Sequence, residues 1–138
     1  MTSLRVITII ENNDRKLYVS QRHIYKKRYP GLFGLGVDRI IETGESYTEC
    51  AQSRLKEVGI NSTPNYLFEF IFKESNKTGA SQIVYHTKHS GIIKPTKEFQ
   101  WNGWMNTEEI DNLSSKRALC PDTEIIYQRF KDEFYGKV

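Results

Sequence analysis

Apolar residues recur along the chain with two periods. Residues 5–10 are mostly β-branched and apolar, which predicts a strand. Residues 16–21 alternate, Leu17 and Val19 against Tyr18 and Ser20, and predict a second. The turn cluster Glu11-Asn12-Asn13-Asp14 lies between them, so the two are expected to pair as a hairpin. Pro30, Gly31, Gly34 and Gly36 punctuate a loop and a short extended stretch, continued by residues 39–42. From Ser46 the period changes. Tyr47, Cys50, Ala51, Leu55 and Val58 fall three or four apart and mark one buried face of a helix. Ser46 and Glu49 form an S-x-x-E capping box at its start, and Gly59 ends it. Residues 66–72 and 82–88 predict strands joined by the polar loop 74–80, and another strand lies near 101–105. Asn106 or Thr107 caps a short helix through about Leu113. Asp122, after Pro121, is expected to cap a last helix over 123–134, with Ile125, Ile126, Phe130 and Phe134 inward. Strands, helix, strands, helix, helix predict an α+β fold, a mixed central sheet between helices, as one domain over residues 1–138.

Composition narrows the class. At 138 residues and 38% hydrophobic, the chain can bury a core without staples. Cys50 and Cys120 lack metal-site spacing and are expected as reduced thiols, which with the absence of a secretory pattern points to the cytoplasm. No apolar run approaches the ~20 residues of a membrane span. A net charge of +3 is too mild to indicate nucleic-acid binding. The charge is uneven, however: Arg22, His23, Lys26, Lys27 and Arg28 crowd around Tyr25 and Tyr29. That is either a solvated loop or a site for an anionic phosphate ligand, with tyrosines to stack on a base. His86 and His89, three apart in a strand, point to opposite faces and cannot share a metal ion. Of Trp101 and Trp104, one belongs in the core and the other is free to line a ligand cleft.

At this point the chain resembles the Nudix superfamily, whose box reads G-x5-E-x7-R-E-U-x-E-E-x-G-U with U aliphatic. Gly44-Glu45-Ser46 matches its G-E-S opening, and Glu45 takes its first glutamate. Leu55 falls on the aliphatic position and Glu57 on the first of the E-E pair, and Gly59-Ile60 supplies the closing G-U one residue early. Residues 17–22 resemble the strand before the box. Tyr29-Pro30-Gly31 is similar to the W/Y-P-G of the branch related to isopentenyl diphosphate isomerase. Glu98, six residues before Trp104, and residues 105–110 resemble the family's late strand and short helix. The resemblance therefore covers nearly the whole chain and implies a Nudix-like α/β/α sandwich. The departures are concentrated in the helix. Ser53 stands in place of the box arginine and Arg54 in place of the first metal-binding glutamate; Val58 stands in place of the second glutamate of the pair or, with that glutamate deleted, of the aliphatic residue after it; upstream, Asp38 and Arg39 stand where a Gly-Gly pair is usual.

The resemblance implies metal-assisted attack of water on a pyrophosphate, with Mg²⁺ or Mn²⁺ as cofactor if the chain is active and none otherwise. It assigns Glu57, Glu45 and Glu98 to catalysis, with Glu57 as the surviving metal ligand. Arg22, Lys26, Lys27, Arg28, Arg54 and Trp101 are the candidates for holding a phosphate ligand or nucleotide. Arg54 opposes a metal, since a unit charge ~5 Å from a divalent ion repels it by roughly 6–7 kcal/mol at an effective dielectric near 20. It also suits a phosphate directly. Two functions follow. One is a protein built to bind a nucleoside diphosphate-type ligand, with standard hydrolysis weak or lost. The alternative is an active Mg²⁺-dependent hydrolase of a nucleoside diphosphate derivative with a non-standard ligand set.

Overall fold

The computed structural model describes residues 4–73, 79–94 and 99–135. Among them, seven strands form one mixed sheet with three helices packed on it. The strands are β1 (Leu4–Glu11), β2 (Leu17–Arg22), β3 (Phe33–Leu35), β4 (Val37–Ile40), β5 (Asn65–Phe72), β6 (Ala80–Lys88) and β7 (Phe99–Met105). The helices are α1 (Tyr47–Glu57), α2 (Thr107–Ser115) and α3 (Pro121–Glu133). None is long and apolar enough to cross a membrane.

The expected hairpin exists but parts at once. β1 and β2 are in register only at Glu11↔Leu17. Beyond that they fork, and residues 33–40 fill the gap. β3 pairs with β2 from Val19↔Leu35 to Gln21↔Phe33, and β4 pairs with β1 from Thr8↔Val37 to Arg5↔Ile40. Gly36 is the crossing point. Its amide donates to the Tyr18 carbonyl, its φ is +71°, and a Cβ there would stand 2.0 Å from the Thr8 carbonyl oxygen. Glycine therefore meets both a backbone and a space requirement. On the other side, β1 runs parallel to β6, and β6 antiparallel to β5.

Strand alternation sends even and odd residues of β1 to opposite faces. Val6 and Ile10 pack against α1 through Cys50, Ala51, Leu55 and Val58. Ile7 and Ile9 pack against α2 and α3 through Ile110, Ile126, Tyr127 and Phe130. Helix α1 is fixed at both ends. Ser46 and Glu49 make the reciprocal capping box. At the other end Ile60 donates to Leu55 and Gly59 to Lys56, a Schellman closure with Gly59 at φ +85°.

Several expectations are corrected. Tyr47 is exposed, because the buried stripe begins one turn later, at Cys50, and runs through Ala51, Arg54 and Leu55. Helix α3 starts at Pro121 with Cys120 as its N-cap residue. Proline at the first position supplies the helical φ without a side-chain cap. Asp122 instead accepts from the Thr123 amide at 2.9 Å and from Gln82 Nε2 at 3.0 Å. The inward stripe of α3 is Thr123, Ile126, Tyr127 and Phe130, so Ile125 falls outside it and is exposed. Phe134 is half-buried and stacks on Phe68. His89 lies past the end of β6, and His86 is buried against Glu11, Nε2 to Oε1 2.8 Å, under the Phe130 ring.

Candidate functional site

The helix that resembles the Nudix box lies beside strand β4, and a cleft of about 410 Å³ opens between them. Arg5, Asp38, Arg39, Glu42, Arg54 and Glu57 line it. Register explains how Arg39 gets there: it pairs with Val6 and therefore lies on the α1 face. Arg54 and Glu57 are three apart on α1, which puts both on one side of the helix.

The charges interlock. Arg54 Nη1 donates to Glu57 Oε2 at 3.1 Å. Glu57 Oε1 is 3.6 Å from Arg39 Nη1, so one carboxylate bridges two guanidiniums. Arg39 Nη2 also reaches Glu42 at 3.0 Å and Glu45 at 3.6 Å. The hydrogen bond to Glu42 is the main cause that holds the Arg39 pKa above its ordinary value. Arg5 pairs with Asp38 at the cleft wall. Arg54 is 9% exposed, and its Nε is buried with no hydrogen-bond partner. Its charge also reaches Tyr18, whose hydroxyl is raised by burial and partly lowered again by Arg54.

The site residues expected from sequence separate into groups. Glu45, Arg54 and Glu57 come together around Arg39. Arg22, Lys26, Lys27 and Arg28 lie on and after the end of β2 and do not line this cleft; Arg28 stands over the Tyr29 ring at 5.3 Å. Trp101 is on β7, half-exposed, edge-on to Phe33. Glu98 lies outside the described residues. Glu49 is committed to its cap, and that backbone hydrogen bond lowers its pKa. Arg5 and Arg39 were missed as site residues. A signal existed for Arg39, a cation in place of a glycine, but nothing in sequence announced Arg5.

A divalent ion needs several hard oxygens converging on one point. Here each cleft carboxylate is already held by a guanidinium, and among the described residues no three His, Cys, Asp or Glu side chains group as metal ligands. Two buried or half-buried cations stand among those carboxylates. This donor set does not fit Mg²⁺ or Mn²⁺.

No protein-family profile matches the chain, and no curated protein sequence does. Solved structures do. A MutT protein from Methanosarcina mazei Go1 superposes over 96% of this chain and 94% of its own, at 20% identity and a TM-score of 0.77. The chain has the Nudix fold. The Nudix domain of Shewanella oneidensis NrtR, in complex with ADP ribose, is similar over 96% of this chain and 88% of its own, at 16% identity and a TM-score of 0.72. A bifunctional NMN adenylyltransferase/ADP ribose pyrophosphatase from Francisella tularensis, with AMP and a Mn ion, is similar over 96% of this chain and 42% of its own. Its identity to this chain is 14% and the TM-score 0.67.

Proposed function

We propose that this Nudix-fold chain binds a nucleoside diphosphate-type ligand through guanidinium groups in the α1–β4 cleft, with metal-dependent hydrolysis weak or absent. The observation that carries the reading is the pairing of Arg39 and Arg54 across one carboxylate in the cleft. Guanidinium is planar, permanently charged and matched to phosphate oxygens, so two of them can neutralise a diphosphate as a metal ion does elsewhere. The ADP ribose held by the S. oneidensis neighbour and the AMP held by the F. tularensis one support the ligand class. The donor set that does not fit a divalent ion supports the missing chemistry.

The test is titration calorimetry with ADP ribose in EDTA, then with Mg²⁺ or Mn²⁺, beside an assay of phosphate release. Binding should survive EDTA. Arg54→Ala should weaken it about tenfold or more, the worth of a charge-assisted hydrogen bond. Metal-dependent turnover that Glu57→Gln abolishes overturns the reading.

A further inference from the structure

We infer that Glu57 is a built-in counter-ion, a carboxylate that occupies the phosphate position between Arg39 and Arg54 until a ligand bearing at least two negative charges displaces it. The inference rests on the arginine-cleft reading above and deepens it by naming what the site selects.

Geometry supports it first. Among the described residues, only Glu57 pairs with both guanidiniums, one oxygen to each. A phosphoryl group presents its oxygens in the same paired way. Mobility supports it next. The Arg54 side chain is 11% exposed and that of Arg39 22%, so the guanidiniums are held in place, whereas Glu57 is 52% exposed at the last turn of α1. Glu45 cannot move as freely: its side chain is mostly buried, and its Oε1 accepts from the Glu42 amide.

Charge then sets the ligand class. Two arginines, Arg39 and Arg54, face three carboxylates, Glu42, Glu45 and Glu57. With Glu57 in place the group is net negative and repels anions. With Glu57 swung out it is neutral, and the two guanidiniums have lost one partner that the ligand must replace. A monoanion only exchanges like for like. A terminal phosphate or a diphosphate brings the extra charge that makes the exchange favourable. The arginines are never left unpaired, which avoids the penalty of a bare buried cation.

The sign of the consequence is opposite to that of a metal site. Where a glutamate holds the ion that binds the phosphate, removing it weakens binding; here removal should tighten it. The probe is inorganic pyrophosphate, titrated in EDTA into the full chain and its Glu57→Gln, Glu42→Gln and Arg54→Ala variants. Glu57→Gln should bind about fivefold tighter, the worth of an exposed ion pair removed from competition. Glu42→Gln removes the same charge from Arg39 alone and should change affinity less than about twofold. Neither change threatens the fold: Glu57 is a negative charge at a helix C-terminus, unfavourable to begin with, and the Glu42 side chain is largely exposed.

Equal tightening by both glutamine variants, or no tightening by Glu57→Gln, overturns the inference. If the wild-type chain binds and Arg54→Ala weakens it while Glu57→Gln does neither more nor less, only this inference falls. If neither the wild-type chain nor Glu57→Gln binds pyrophosphate, the arginine-cleft reading falls with it.

Discussion

Arg54 is where sign decides chemistry. Arg54→Glu would place a second carboxylate three residues from Glu57 on one helix face, the spacing that lets two oxygens meet one ion. We expect this variant to bind Mn²⁺ at least about tenfold more tightly than the wild type by calorimetry, since even ~1.4 kcal/mol of relieved repulsion is a factor of ten. The thiols make a second prediction at this scale. Burial, followed by the nearby Glu45 carboxylate, pushes Cys50 up to about 11, and burial followed by Asp122 pushes Cys120 up to about 12, against 9.0 for a free thiol. The folded chain then holds these protons where the unfolded chain has released them. Their contribution is complete below pH 9 and is lost as pH rises toward 11–12. Urea midpoints should fall between pH 9 and 11, and Cys50→Ala should flatten part of that fall. Arg54 and Glu57 were legible in sequence because helix spacing places them. Arg39 was marked only by standing in place of a glycine and Arg5 not at all, because a strand residue enters a site through its register with a distant strand, which no local period encodes.

The elements were legible where their ends carry their own chemistry. The capping box at Ser46–Glu49, the stop at Gly59 and the Asn106 cap of α2 all fall where the sequence puts them. Helix α3 began earlier than expected, because a proline at the first position does what a side-chain cap would do. The fork between β1 and β2 was not legible, since nothing in two alternating strands says where they part. It depends on Gly36, and the dependence can be measured against Gly44. Both have positive φ, +71° and +85°, so alanine at either costs about 1–2 kcal/mol in backbone strain. Gly44 has open space for a Cβ, whereas at Gly36 it would meet the Thr8 carbonyl. Gly44→Ala should therefore cost about 1 kcal/mol and Gly36→Ala more than about 3 kcal/mol in chemical denaturation.

At the scale of the molecule, the buried Glu11–His86 pair ties the end of β1 to β6 beneath α3. Breaking one side leaves the other polar group without a partner in the core. His86→Ala should cost about 3–5 kcal/mol, and the double variant Glu11→Leu/His86→Leu should cost less than that single one. A double variant less stable than His86→Ala would show that the pair is a net source of stability. The overall sandwich was legible because the order of elements and the inward stripes agree on one architecture. One consequence for the whole molecule lies in the helix fixed at both ends. Its caps secure the chain whatever helix-compatible residues stand between them, so the middle of the segment is free to drift. Shape and chemistry are therefore separable here: the outline rests on the two ends of the helix, and the charge of the cleft on the letters between them.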